Sequence, residues 1–264
     1  MTSHTTNPTA LRRNLARIYW LELQCEVLKH WRMPIYSLST LLFPMMFYVL
    51  FALMFGRELI GDVTVATYML ATYGAFGVIG AALFAFGVGV ATERAQGWMR
   101  LKQASPMPPL AYFVAKAAVA LAFSALVVAS LFMLGYLIAG IRLPASSWLA
   151  LFGTLLLGAL PFSAMGLWFG YLLGPNSAPV VLNLVYIPMV FVSGLWIPMS
   201  QLPTLVQQIG RYLPAYYAGQ LALAPLGANL APVASSLAWL AAYTAIFMLL
   251  AVAAYRRSHG QRYG

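Results

Sequence analysis

The chain has 264 residues, 62% of them hydrophobic and 8% charged, where soluble domains carry about 25% charged residues. A soluble protein of this length needs a polar surface that this composition does not supply, so a soluble globular domain is excluded. The net charge of +10 comes from basic residues that flank apolar runs, which points to anionic lipid headgroups as the partner and excludes nucleic acid.

Residues 1–33 interleave Arg12, Arg13, Arg17, Lys29 and Arg32 with Glu22 and Glu26 and hold no uninterrupted apolar stretch, so a cleavable signal peptide is not expected. Leu11 to Trp31 reads as a helix. Leu11, Leu15, Ile18 and Tyr19 share a face opposite Arg13 and Arg17, and the pattern blurs after Tyr19. This predicts an interfacial helix along the cytoplasmic leaflet.

Long uncharged runs follow, and a span of the hydrocarbon core needs roughly 20 apolar residues. The first spans are predicted at 35–55, 66–91 and 112–138. The run from Leu143 to Gly210 is too long for one span, and Gly174-Pro175-Asn176-Ser177 divides it into spans at 148–173 and 178–197. A sixth is predicted at 232–254. Residues 198–226 are too polar and Pro-rich to cross. Yet Leu202, Leu205, Val206, Ile209 and Leu213 recur at helical spacing, which predicts an outer re-entrant segment that turns at Leu213-Pro214. With both termini cytoplasmic, twelve Lys/Arg fall inside and three (Arg57, Arg142, Arg211) outside, as the positive-inside rule requires. The expected fold is all-α: a polytopic membrane protein of six transmembrane helices, N-in and C-in, forming one domain over residues 1–264.

The spans lack reactive chemistry. His4, His30 and His259 lie outside them, Asp62 is the one aspartate, and no HExxH motif occurs, so no catalytic or metal site is expected. Cys25 is the single cysteine, which excludes an internal disulfide framework. Lys29, Lys102 and Lys116 are the only lysines and none belongs to a GxxxxGK[ST] loop, so the chain has no nucleotide site of its own. If it moves a cargo, the driving force comes from another subunit. A sodium-coupled or uncoupled carrier is the alternative, since carbonyls alone can hold sodium at broken helices. A non-transporting scaffold is the third reading.

The most distinctive polar segment joins the second and third spans. It runs Glu93, Arg94, Gly97, Trp98, Arg100, Leu101, Lys102, Ser105 and Pro106, with Tyr112 and Lys116 opening the next span. Read from the residues, it is a short amphipathic helix leaving the membrane and stopped by prolines. A second pattern lies in and after the fifth span: Asn183, Pro188, Ser193-Gly194, Pro198, Leu202-Pro203, and Leu213-Pro214 before Tyr216-Tyr217. In this order the two patterns resemble the ABC-2 type permeases, the membrane subunits of type II-like ABC exporters. The asparagine usual before the later proline is Leu213 here.

The resemblance implies a permease that works as a homo- or heterodimer, each half bound to a separate ABC ATPase subunit in the bacterial inner membrane. It implies no cofactor on this chain; ATP and Mg sit on the partner. Residues 93–109 would form the coupling segment that docks on that ATPase. The first, second and fifth spans would line a cargo path, with Asn183, Pro188, Ser193, Gly194 and Pro198 at the path or its gate. Drugs, lipids and glycans all remain open as cargo.

Some residues carry two readings at this level. Asn183 either faces the path or bonds a neighbouring helix. Pro44, Pro161 and Pro188 should kink their spans, as hinges or as local geometry. Gly166, Gly170 and Gly174, four apart, favour close helix packing, within one subunit or at a subunit seam. Tyr36, Phe43, Phe47, Tyr48 and Phe51 make the first span aromatic, as a cargo wall or a lipid-facing surface.

Overall fold

The computed structural model describes residues 8–31, 34–98 and 108–260. Its helices are α1 (Pro8–Trp31), α2 (Pro34–Phe55), α3 (Val65–Ala95), α4 (Pro109–Leu137), α5 (Ala145–Gly158), α6 (Leu160–Leu172), α7 (Ser177–Val192), α8 (Thr204–Gly210), α9 (Pro214–Leu223) and α10 (Val233–Gly260). A small antiparallel hairpin, β1 (Leu59–Ile60) with β2 (Val63–Thr64), fills the α2–α3 connection. Gly61 in its turn has φ +60. Two residues per strand are too short to show as a period in the sequence, so the all-α expectation holds with this one addition.

Four helical stretches are long and apolar enough to cross a bilayer: Val65–Ala95, Ala111–Leu137, Ala145–Leu172 and Val233–Arg257. The first contains the predicted second span, and the others overlap the predicted third, fourth and sixth spans, each of which overruns its helix by one residue. Apolar α2 and α7 occupy the places of the first and fifth. The 22 residues of α2 reach about 33 Å at 1.5 Å per residue.

α3 is the central post. Almost every residue from Val65 to Ala91 is buried, and α2, α4, α5, α6, α7 and α9 all pack against it. A helix enclosed on all sides has no polar face to show, and this one is apolar all round. Its tightest neighbour is α6. A Cβ on Gly166 would lie 2.5 Å from the Leu83 carbonyl oxygen, and one on Gly170 2.8 Å from Val90 Cβ. The predicted small-residue packing therefore falls within the chain at these two glycines. Gly174 has only Ser177 Oγ near it, at 3.7 Å, and stands outside the contact.

The fourth span differs from expectation. It is two helices, α5 and α6, parted at Ala159. Pro161 at the start of α6 has no N–H to donate to an earlier carbonyl, which fits the break beside it. Pro44 and Pro188, by contrast, sit inside helices that continue through them.

Residues 198–226 form a 3-10 turn at Met199–Gln201, then α8, α9 and a second 3-10 turn at Ala224–Leu226. Leu213 is extended and Pro214 opens α9, which places the turn where the sequence predicts it. α8 leaves Leu205 and Ile209 exposed, whereas α9 is buried among α3, α5 and α10. Buried Gln220 closes this segment by accepting from the backbone N–H groups of Leu230 and Ala231.

Candidate functional site

Where α3 ends and α4 begins, four charged side chains and a tyrosine meet. Glu93 stands in the last turn of α3. Tyr112 and Lys116, four apart, share a face of α4. Glu26 and Lys29, three apart, come from α1. Lys116 Nζ donates to Glu26 Oε1 at 2.8 Å and to Glu93 Oε1 at 3.0 Å. Lys29 donates to Glu93 and lies 3.6 Å from Glu26 Oε1. The Tyr112 hydroxyl donates to the other oxygen of Glu93.

All of the group but Lys29 is shut away from solvent. Lys116 is 1% exposed, and Glu26 and Glu93 are each 5% exposed. Among the described residues, two carboxylates and two ammonium groups sum to zero, so the cluster can be buried where any lone member would face a large desolvation penalty. A carboxylate near a helix C-terminus is unfavourable with the helix dipole, and the two ammonium groups offset that cost at Glu93. Gly89, one turn earlier on α3, leaves room for them. A Cβ there would lie 3.2 Å from Lys116 Nζ.

Arg94 turns the other way. Its Nη1 donates to the carbonyls of Gly170 at 2.8 Å and Tyr171 at 2.6 Å, and its guanidinium lies 5.6 Å from the Tyr171 ring centroid. A cation thus closes the C-terminus of α6, where free carbonyls carry the negative end of the dipole. Glu93 and Arg94, adjacent in sequence, tie the end of α3 to α1 and α4 on one side and to α6 on the other.

The rest of the predicted coupling segment divides. Gly97 has φ +78, a left-handed conformation that terminates the helix and that a Cβ disfavours. Trp98 is 53% exposed. Arg100, Leu101, Lys102, Ser105 and Pro106 lie outside the described residues.

The predicted path and gate residues also separate. Asn183 and Pro188 are exposed on one face of α7, with Val180, Leu184, Ile187 and Phe191. Asn183 Nδ2 donates to the Pro179 carbonyl of its own helix at 2.9 Å, and among the described residues it bonds no neighbouring helix. Ser193, Gly194 and Pro198 are buried in the turn beyond α7. Gly194 has φ +77, and a Cβ on it would lie 3.3 Å from Met199.

That turn aims Trp196 back at an aromatic wall. Trp196 stacks on Phe47 at 6.1 Å and meets Phe76 edge-on at 5.4 Å. Phe76 stacks on Tyr186 at 5.3 Å. Phe43, Phe47 and Phe51 form a stripe on α2 with successive centroids 4.8 and 6.4 Å apart. Tyr48 turns into the core at 0% exposure, and the side chain of Tyr36 lies outside the described ones.

A family profile described as "ABC-2 type transporter" matches residues 18–226. The chain belongs to the ABC-2 type transporter family. The matched region contains the whole ionic cluster, the α3–α4 connection and the aromatic wall. The permease is also 27% identical over 215 residues to a Bacillus subtilis (strain 168) protein described as "Putative transport permease YvfS", covering 81% of this chain and 87% of that one. Family and relative make the permease an integral membrane protein of transport, in the class of transporter subunits rather than enzymes.

Glu26 and Lys29 are the site residues that sequence reasoning missed. Their signal was present: opposite charges one turn apart, within reach of two charges that open and close otherwise uncharged spans. Tyr112 and Lys116 were noticed as pattern members, without the partners that define their chemistry.

Proposed function

We propose that this permease is the membrane subunit of an ATP-driven exporter, paired with a separate ATPase subunit and with a second permease, in a bacterial inner membrane. It would have six spans with both termini cytoplasmic, counting α2 and the short α7 as spans. The observation that carries the coupling role is the buried cluster. It fastens α1 to the base of the α3–α4 connection, while Arg94 fastens the same base to α6. A push on the exposed Trp98 region is therefore delivered to four helices together. In this reading Glu93 and Arg94 are positioning residues inside the bundle, and Gly97, Trp98 and the segment to Pro106 meet the ATPase.

The cargo path would follow the exposed apolar faces of α2 and α7, joined by Trp196. Ser193 Oγ and Trp196 Nε1 make no hydrogen bond to the described residues, although buried polar atoms ordinarily do. The aromatic side chains between these faces suit a cargo with ring or chain surface.

The test is purification under mild conditions followed by reconstitution. A co-purifying ATPase whose hydrolysis is stimulated by the permease is the expected result. Transport by the permease alone, driven by a sodium gradient, would overturn the reading. Gly97→Ala places a side chain at φ +78, which costs about 1–2 kcal/mol locally. It is expected to keep ATPase binding but lower cargo moved per ATP, read from parallel hydrolysis and export assays. Asn183→Leu is expected to change the ranking of cargoes with little change in melting temperature, because its present bond is only to its own helix. An unchanged ranking would remove Asn183 from the path.

A further inference from the structure

From Tyr19 onward α1 is inverted. The face packed on the bundle is Tyr19, Glu22, Leu23, Glu26 and Lys29, whereas the outward face is Trp20, Leu21, Val27 and Leu28 with Gln24 and Cys25. Trp20 is 59% exposed and Leu28 53% exposed. A helix with its charges turned to the protein and its large apolar groups turned out suits an acyl or interfacial surrounding, not water.

Between this helix and α4 runs a groove of about 330 Å³. Ala16 and Ala115 keep it open, Tyr19, Leu23 and Val114 wall it, and Trp20 stands at its edge. Ala118 continues it onto the outward stripe of α4, where Leu121, Leu126 and Met133 are exposed. The groove is therefore continuous with the exposed apolar stripe of a helix long and apolar enough to cross a bilayer. Arg17, one residue from Ala16, is exposed at the same end.

We propose that this groove holds one acyl chain of an anionic phospholipid from the surrounding leaflet, with Arg17 at the headgroup. Apolar lining selects the chain, and the guanidinium selects a phosphate-bearing head with net negative charge. The site is separate from the aromatic wall and from the ionic cluster.

The experiment uses the full chain in phosphatidylcholine vesicles doped with phosphatidylglycerol that carries a photoactivatable diazirine on its acyl chain. Labelled peptides are mapped by mass spectrometry. Labelling of peptides covering 16–23 and 114–118 is expected to exceed that of the outward face of α10 several-fold. Ala118→Phe, or Ala16→Leu from the opposite wall, is expected to bring it down to the α10 level. Arg17→Gln is expected to keep the labelling but erase any preference over the same diazirine chain on phosphatidylcholine. Equal labelling of α4 and α10, or labelling unchanged in both filled variants, overturns the proposal. Labelling displaced by an added ATPase subunit would assign the groove to a protein instead, and a headgroup preference surviving Arg17→Gln would overturn the role of that residue.

Discussion

Lys116→Met is expected to detach α1 from the bundle and to lower stability by about 3–5 kcal/mol, the usual cost of leaving buried charges without their partner. The methionine keeps the apolar stem and removes the one ammonium group that both Glu26 and Glu93 share at hydrogen-bond distance. Glu93 retains Lys29 and Tyr112, so the loss falls mainly on the α1–α4 contact. Lys29→Met should cost clearly less, because Lys29 is 28% exposed and water screens its pairs. Glu93→Gln combined with Lys116→Met should be milder than the two single effects added, since the pair is in direct contact. Melting temperature reads the stability. A nitroxide on Cys25, the sole cysteine, reads the detachment as faster motion of α1. An unchanged melting curve and an unchanged Cys25 spectrum in Lys116→Met would show that the cluster holds nothing together.

The second large effect is expected at Gly166. Gly166→Ala puts a Cβ 2.5 Å from the Leu83 backbone oxygen and 3.1 Å from the Gly87 nitrogen. Neither atom can rotate away, so α3 and α6 must separate, at a cost of about 1–3 kcal/mol. Because Arg94 is bonded to the end of α6, the separation would also disturb the base of the α3–α4 connection. Gly174→Ala is the matched control. Its surroundings are open, and its effect should stay within about 0.5 kcal/mol. Equal stability of the Gly166 and Gly174 variants would contradict the packing described.

Much of this architecture was legible because charge in this chain is scarce and badly tolerated in lipid. The uncharged runs locate the helices, and the Leu213-Pro214 turn appears where proline chemistry places it. The division of the fourth span was less visible. Pro44, Pro161 and Pro188 look alike in sequence, and only their surroundings decide that the helix parts beside Pro161 and continues through the other two. The cluster was hidden for another reason. Glu26 and Lys116 are 90 residues apart, and their pairing depends on how α1 returns across α4. The blurred amphipathicity after Tyr19 was the trace of it: the helix exchanges its apolar face for a charged one where it meets buried ammonium and carboxylate groups.

The inverted α1 also sets an order of biogenesis. Ribosomes add roughly 5–20 residues per second, so about 5–18 s separate the synthesis of Glu26 from that of Lys116. Throughout that interval the carboxylate on α1 has no Lys116 to receive it. The N-terminal helix must wait at the membrane surface while later segments enter. It can seat only after α3 and α4 stand side by side. Chains stalled before that point would display a helix charged on the side meant for the protein interior.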